Sequence, residues 1–285
     1  MFLIKVSLGQ FLKKTGIEFN RMRRATVRDI ASRYKEGKKL VSLSLYDAWM
    51  AKLADQIDVD ILLVGDSLGM TVLGYETTVP VTMEDCLRHT AAVVRGSKKA
   101  LVVGDMPFAT YQSSVEVALE NAAKFMQEAS AHAVKLEGGK FMASTVETLV
   151  RSGIPVMGHI GILPQSVNIK GYKVLGRTQA EEQQLIDDAK SLEEAGAFAI
   201  VLEGVQKAVA ARITESVNIP TIGIGAGAGC TGQIQVAHDL LGLSDFTPKH
   251  ARIFADIATP IKAAFQEYSS EVRNGTFPAK ENSFE

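Results

Sequence analysis

Two cysteines, Cys86 and Cys230, are all that the 285-residue chain contains, and they stand far apart with no Cys-x-x-Cys pair. That excludes a disulfide framework and a thiolate zinc site, and it suits a reducing compartment. No run approaches 18 apolar residues, so no segment is long enough to span a membrane. A broadly basic surface is missing too. Lys and Arg number 31 against 32 Asp and Glu, a net charge of −1, which excludes nucleic acid as the default partner. Nor is there a linker-like shift in composition, a low-complexity segment, or any repeat beyond a short strand–helix unit. What remains is an ordinary composition for a soluble globular enzyme, 46% hydrophobic and 22% charged.

The first stretch is the exception. Residues 1–28 carry seven basic residues, Lys5, Lys13, Lys14, Arg21, Arg23, Arg24 and Arg28, against the single acid Glu18. The compact apolar core and cleavage site of a secretory signal are absent. Residues 1–22 therefore read as a basic N-terminal extension: a surface arm, a stretch ahead of a start at Met22, or an organellar transit peptide. Residues 23–285 read as one domain, cytoplasmic by default.

Within that domain a rhythm repeats. Strand-like runs at 40–45, 61–64, 101–105, 134–136, 154–159, 199–202, 219–225 and 233–237 alternate with helical stretches, for example 48–56, 82–95, 114–130, 143–151, 179–195, 206–216 and 251–273. Several runs, such as Ile61-Leu62-Leu63-Val64, are unbroken and suit parallel strands buried on both faces. Eight strands alternating with helices predict a closed α/β (β/α)8 TIM barrel, with an open doubly wound sheet as the alternative.

In such a barrel the chemistry sits where strands end. Those ends carry Asp47, Asp66, Asp105, Lys135 with Glu137, His159, Glu203, and His238 with Asp239. A lone Asp after a strand is more often a helix cap or turn residue. The series is different, because closing the barrel converges the ends on one pocket. Several carboxylates confined together must protonate or be bridged by a cation. Oxygen ligands without cysteine suit Mg2+. Asp66, Asp105 and Glu137, from neighbouring strands, form the best metal set. Lys135, two residues from Glu137 on the same strand face, reads as a contact for a substrate carboxylate, with a Schiff-base lysine as its rival role. Glu203, from across the barrel, is the candidate base. His159 reads either as a hydrogen-bonded wall residue or as a substrate contact. The glycine-rich Gly223 to Gly229 matches neither a P-loop nor a dinucleotide fingerprint, and reads as tight turns or a phosphate site. The loops 68–81 and 161–178 are candidate lids.

Taken together, Val64-Gly65-Asp66-Ser67-Leu68-Gly69, Gly104-Asp105-Met106-Pro107, Val134-Lys135-Leu136-Glu137-Gly138-Gly139, Met157-Gly158-His159-Ile160-Gly161, Leu202-Glu203 and Ile222-Gly223-Ile224-Gly225-Ala226-Gly227 resemble the ketopantoate hydroxymethyltransferase family over about residues 24–268. The resemblance implies a barrel related to phosphoenolpyruvate mutase and isocitrate lyase, assembled as a homodecamer. It implies a metal site at Asp66, Asp105 and Glu137, substrate contacts at Asp66, Ser67, Asp105 and Lys135, and a proton acceptor at Glu203. The implied substrates are small molecules, a 2-oxo acid and a reduced folate. The implied reaction moves a hydroxymethyl group from 5,10-methylenetetrahydrofolate to 3-methyl-2-oxobutanoate through a Mg2+-stabilised enolate. A metal-dependent lyase or mutase acting on another 2-oxo acid without folate is the alternative.

Overall fold

The computed structural model describes residues 23–284 apart from Asp245; the basic extension 1–22 lies outside the described residues. The strands are β1 Leu40–Ser44, β2 Ile61–Val64, β3 Leu101–Asp105, β4 Ala133–Lys135, β5 Val156–Gly161, β6 Ala199–Glu203, β7 Thr221–Ile224 and β8 Gly232–Val236. Each pairs in parallel with the next, and β8 pairs with β1 from Leu40 opposite Gly232 to Ser44 opposite Val236. The sheet closes, which removes the open-sheet alternative.

Alternation of side chains decides what the barrel contains. Leu40, Ile61, Leu63, Leu101, Val103, Ala133, Met157, Ala199, Val201, Ile222 and Ile234 form one buried cluster inside it. Their neighbours, among them Leu62, Val102, Val134, Val156 and Ile200, join a larger cluster beneath the helices. Counting on by twos from the inner set reaches Asp105, Lys135, Glu137, His159 and Glu203. The charged residues are thus the top layer of the filling, above a floor of aliphatic side chains.

The helices before and between the strands are α1 Val27–Lys35, α2 Ala48–Ala54, α3 Leu68–Thr71, α4 Met83–Gly96, α5 Val115–Gln127, α6 Ala143–Arg151, α7 Val167–Lys170, α8 Gln179–Glu194 and α9 Lys207–Ser216; α10 Ala237–Leu240 and α11 Ala258–Asn274 follow β8. Several begin on a side-chain cap. Thr82 and Asp85 form a reciprocal capping box on α4, and Ser114 and Thr178 accept from the first turns of α5 and α8.

Two features depart from the sequence reading, and a third matches it. The loop 68–81 opens with α3. The last long helix starts at Ala258 rather than near Ala251. No helix separates β7 from β8: residues 225–231 cross directly, turning at Gly225 and Gly227 with φ of 63° and 83°, where a side chain would be strained. The helical wall is consequently open outside β8 and β1, where Val41 is 47% exposed and Gln233 is also exposed. α11 buries none of its residues, although Ile261, Phe265, Tyr268 and Val272 recur at the spacing of one apolar stripe.

Candidate active site

The centre of the barrel mouth is an ion pair. The Lys135 ammonium lies 2.7 Å from Asp105 Oδ1 and 2.8 Å from Oδ2, with both side chains almost wholly buried. Burial opposes the lysine's charge, but Asp105, Glu137 and Asp66 together raise its pKa above the ordinary value. Lys135 is therefore a fixed cation. Asp66 sits one residue beyond the inward Gly65, on the turn after β2, and its backbone N–H donates to Asp105 Oδ2 at 3.1 Å. Burial, then the neighbouring Asp105 charge, pushes the Asp66 carboxyl up to about 7, against the pull of Lys135 and Gln165. Two carboxylates share one lysine here, and each raises the cost of charging the other.

Glu137 continues this cluster from β4. Burial pushes its carboxyl well above the usual range, with Lys135 pulling the other way. Its Oε2 accepts from the backbone N–H of Gln165 at 3.1 Å, while its Oε1 is buried without a hydrogen-bond partner among the described residues. His159 stands between this acid and the far wall. Its Nδ1 is 3.7 Å from Glu137 Oε1 and its Nε2 is 3.4 Å from Glu203 Oε2. Burial, then Lys135, lowers its pKa, so the ring is held neutral. Glu203, at the end of β6, is the most accessible of these acids, its side chain 19% exposed and the others nearly sealed.

Sequence reasoning missed the frame around these groups. Gln165 joins Asp66, Met106, Tyr111 and Glu137 by hydrogen bonds, and the Tyr111 hydroxyl accepts from Glu137 N–H at 3.0 Å. Neither carries a charge or ends a strand, so no periodic signal marks them; Gln165 falls within the candidate lid 161–178, and nothing marks Tyr111. Ser67 does reach the mouth, where its hydroxyl shares a 2.8 Å hydrogen bond with Tyr46. Tyr172, exposed on the loop 162–178, has its hydroxyl pKa raised by burial and then by the charges of Glu203, Asp66 and Glu137.

Two strand-end acids belong elsewhere. Asp47 caps α2, its Oδ1 accepting from Trp49 and Met50 N–H at 2.8 Å each. Asp239 accepts from the Ser244 hydroxyl at 2.7 Å, within the turn after β8.

The donor set suits a hard cation. Asp66, Asp105 and Glu137 offer only oxygen, two of the three are driven toward protonation by burial, and one Glu137 oxygen is an orphan. As the side chains lie, no three acids or imidazoles among the described residues stand at metal-binding spacing. Asp105 has both oxygens engaged by Lys135.

The family model for ketopantoate hydroxymethyltransferase matches residues 24–280. The chain belongs to that family. Family membership makes it an enzyme of the transferase class. The proteins named 3-methyl-2-oxobutanoate hydroxymethyltransferase from Chloroflexus aurantiacus and Syntrophus aciditrophicus are similar to it. The first is 56% identical over 261 residues, 91% of this chain and 92% of that one. The second is 53% identical over 264 residues, 92% of this chain and 97% of that one. Among solved structures, phosphonopyruvate hydrolase superposes with a TM-score of 0.58 at 14% identity, covering 92% of each chain. A 2,3-dimethylmalate lyase of the PEP mutase/isocitrate lyase superfamily superposes with a TM-score of 0.56 at 14% identity, covering 90% of this chain and 91% of that one. At such identity these two speak for the fold. The expected barrel type and family both hold. Among the described residues no helix is long and apolar enough to cross a membrane.

Proposed function

We propose that this family member transfers a hydroxymethyl group from 5,10-methylenetetrahydrofolate to 3-methyl-2-oxobutanoate, consuming water and releasing 2-dehydropantoate and tetrahydrofolate, in pantothenate biosynthesis. The observation that carries the reading is the opposition across one mouth of a fixed cation, Lys135 on Asp105, and an accessible carboxylate, Glu203, with neutral His159 between them.

Asp66, Asp105 and Glu137 would hold a Mg2+ ion, which when bound supplies Lewis acidity toward the 2-oxo oxygen of the substrate. Lys135, kept charged by its acidic neighbours, binds the substrate carboxylate, and Ser67 with Asp66 lines the same side. A permanently protonated amine is a poor nucleophile, which disfavours a Schiff base at Lys135. Glu203 takes the proton from C3. His159, held neutral and within reach of Glu203 Oε2, steadies that carboxylate in its approach. The C3 carbanion then bonds to the one-carbon unit of the folate as one of its C–N bonds opens. Water replaces the remaining C–N bond and supplies the hydroxyl. The proton from C3 and the second proton of water end on the two nitrogens of the released tetrahydrofolate.

We further infer that the enzyme is a cytoplasmic homo-oligomer, a decamer by family resemblance. The exposed outer face of β8 and β1 and the apolar stripe of α11, unburied among the described residues, support assembly.

The test is product formation from the two substrates with Mg2+ and with EDTA. Turnover abolished by EDTA supports reaction, co-substrate and metal together. A folded, metal-binding protein without turnover points instead to a folate-independent lyase or mutase.

A further inference from the structure

Gln165 lies in the 3-10 turn Pro164–Ser166 that follows β5, and is 3% exposed. Its side-chain nitrogen donates to Asp66 Oδ2 at 3.0 Å and to the Met106 carbonyl at 2.9 Å. Its side-chain oxygen accepts from the Tyr111 hydroxyl at 2.7 Å and from Gln112 Nε2 at 3.0 Å. Its backbone N–H donates to Glu137 Oε2 at 3.1 Å. One residue thus contacts groups carried by the turns after β2, β3 and β4.

The amide has a single workable orientation. Turned over, its oxygen would face the Asp66 carboxylate and the Met106 carbonyl, and its nitrogen would face the Gln112 amide nitrogen. Both arrangements are repulsive, so the neighbours fix which atom points where. A buried amide with both donors and its acceptor engaged is rigid.

The residue type also suits the charge of the place. Asp66 and Glu137 are buried carboxylates that meet at this one residue. The side-chain amide stabilises Asp66 by donation without adding a second lysine-like cation that would compete for it, while the backbone N–H serves Glu137. A carboxylate there would add another negative charge.

We propose that Gln165 is a positioning residue that sets the placement of Asp66 relative to Glu137 and ties the loop above the mouth to both. That loop is anchored again at its far end, where Leu175 N–H donates to the Gly204 carbonyl and the Leu175 carbonyl accepts from Gln206 N–H, each at 3.0 Å, just past Glu203. The segment between is a strap whose two ends report on opposite sides of the site. The inference rests on the proposed function for what the acids hold.

Its test is Mn2+ binding to the full-length protein without substrates, followed by electron paramagnetic resonance, for wild type, Gln165→Leu, Gln165→Met and Gln112→Ala. Both apolar replacements keep the backbone N–H to Glu137 and lose the amide. They should weaken Mn2+ by about 10- to 100-fold, the effect of removing a partner that orients metal ligands. The fall in kcat should exceed any change in KM for 3-methyl-2-oxobutanoate. Gln112→Ala, which removes one donor to the amide oxygen, should act in the same direction and less. Variants with lowered melting temperature but wild-type Mn2+ affinity overturn the inference. If the Gln165 variants do not fold, Gln112→Ala decides, and unchanged affinity there overturns it. A wild type that binds no Mn2+ overturns both this inference and the proposed metal site. One that binds Mn2+ yet makes no product overturns the proposed function, while the variants' affinities still decide Gln165.

Discussion

Lys135 pairs with Asp105, through both carboxylate oxygens at 2.7 and 2.8 Å, rather than with Glu137 two residues along its own chain. The pairing crosses from β4 to β3, where Asp105 stands directly opposite Lys135 in the ladder. It leaves a Glu137 oxygen without a hydrogen bond among the described residues and raises the lysine's pKa.

Lys135→Met should therefore strand a buried carboxylate. Removing one partner of such a pair costs about 3 to 5 kcal/mol. Chemical denaturation should show that loss, and the double variant Lys135→Met with Asp105→Asn should regain most of it while transferring no hydroxymethyl group. A double variant as unstable as the single one would contradict the pairing.

Glu203→Gln should abolish exchange of the C3 proton of 3-methyl-2-oxobutanoate with Mg2+ and no folate. A loss of about 10²- to 10⁴-fold is expected for a positioned base. Proton NMR in deuterium oxide measures it, and wild-type exchange would remove Glu203 from its role.

Gly161→Ala should damage the site through the backbone. Gly161 has φ of 100°, and an added Cβ would lie 2.1 Å from the Glu203 carbonyl oxygen. Either strain or displacement of β6 follows, so both melting temperature and kcat should drop. Unchanged kcat would mean that Glu203 is insensitive to its own backbone.

α11 should be dispensable for the barrel and needed for assembly. Phe265→Glu with Tyr268→Glu should lower the mass seen by light scattering while circular dichroism stays native, since neither residue is buried. An unaltered mass would exclude the stripe as a contact.

Acid should destabilise the fold partly through His132. Its Nδ1 accepts from Val102 N–H at 3.3 Å, and burial, then Arg24, lowers its pKa to about 4 from 6.5. Unfolded chains take up the proton below 6.5 while the folded ring refuses it until about 4. The stabilisation is thus complete above 6.5 and is lost as pH falls from 6.5 to 4. His132→Gln should flatten the melting temperature over that window; an equal slope would exclude the ring.

Much of this was legible in the chain. Unbroken apolar runs, each finishing in a polar residue, carry the strand count, because parallel strands buried on both faces admit little else. The two-residue period then sends Lys135, Glu137, His159 and Glu203 to one interior. Composition and local pattern by themselves determined the barrel and its acidic mouth. Which acid pairs with which lysine was decided by register between strands, which no local pattern encodes. Asp47 is different, because its role as a cap follows locally from the helix that begins at Ala48. Gln165 and Tyr111 became visible only in three dimensions, since an uncharged side chain acquires a role from the groups that folding sets beside it. The open wall at β8 and β1 was likewise a tertiary outcome: the sequence contains the last helix, but only packing shows that, among the described residues, none of it is buried.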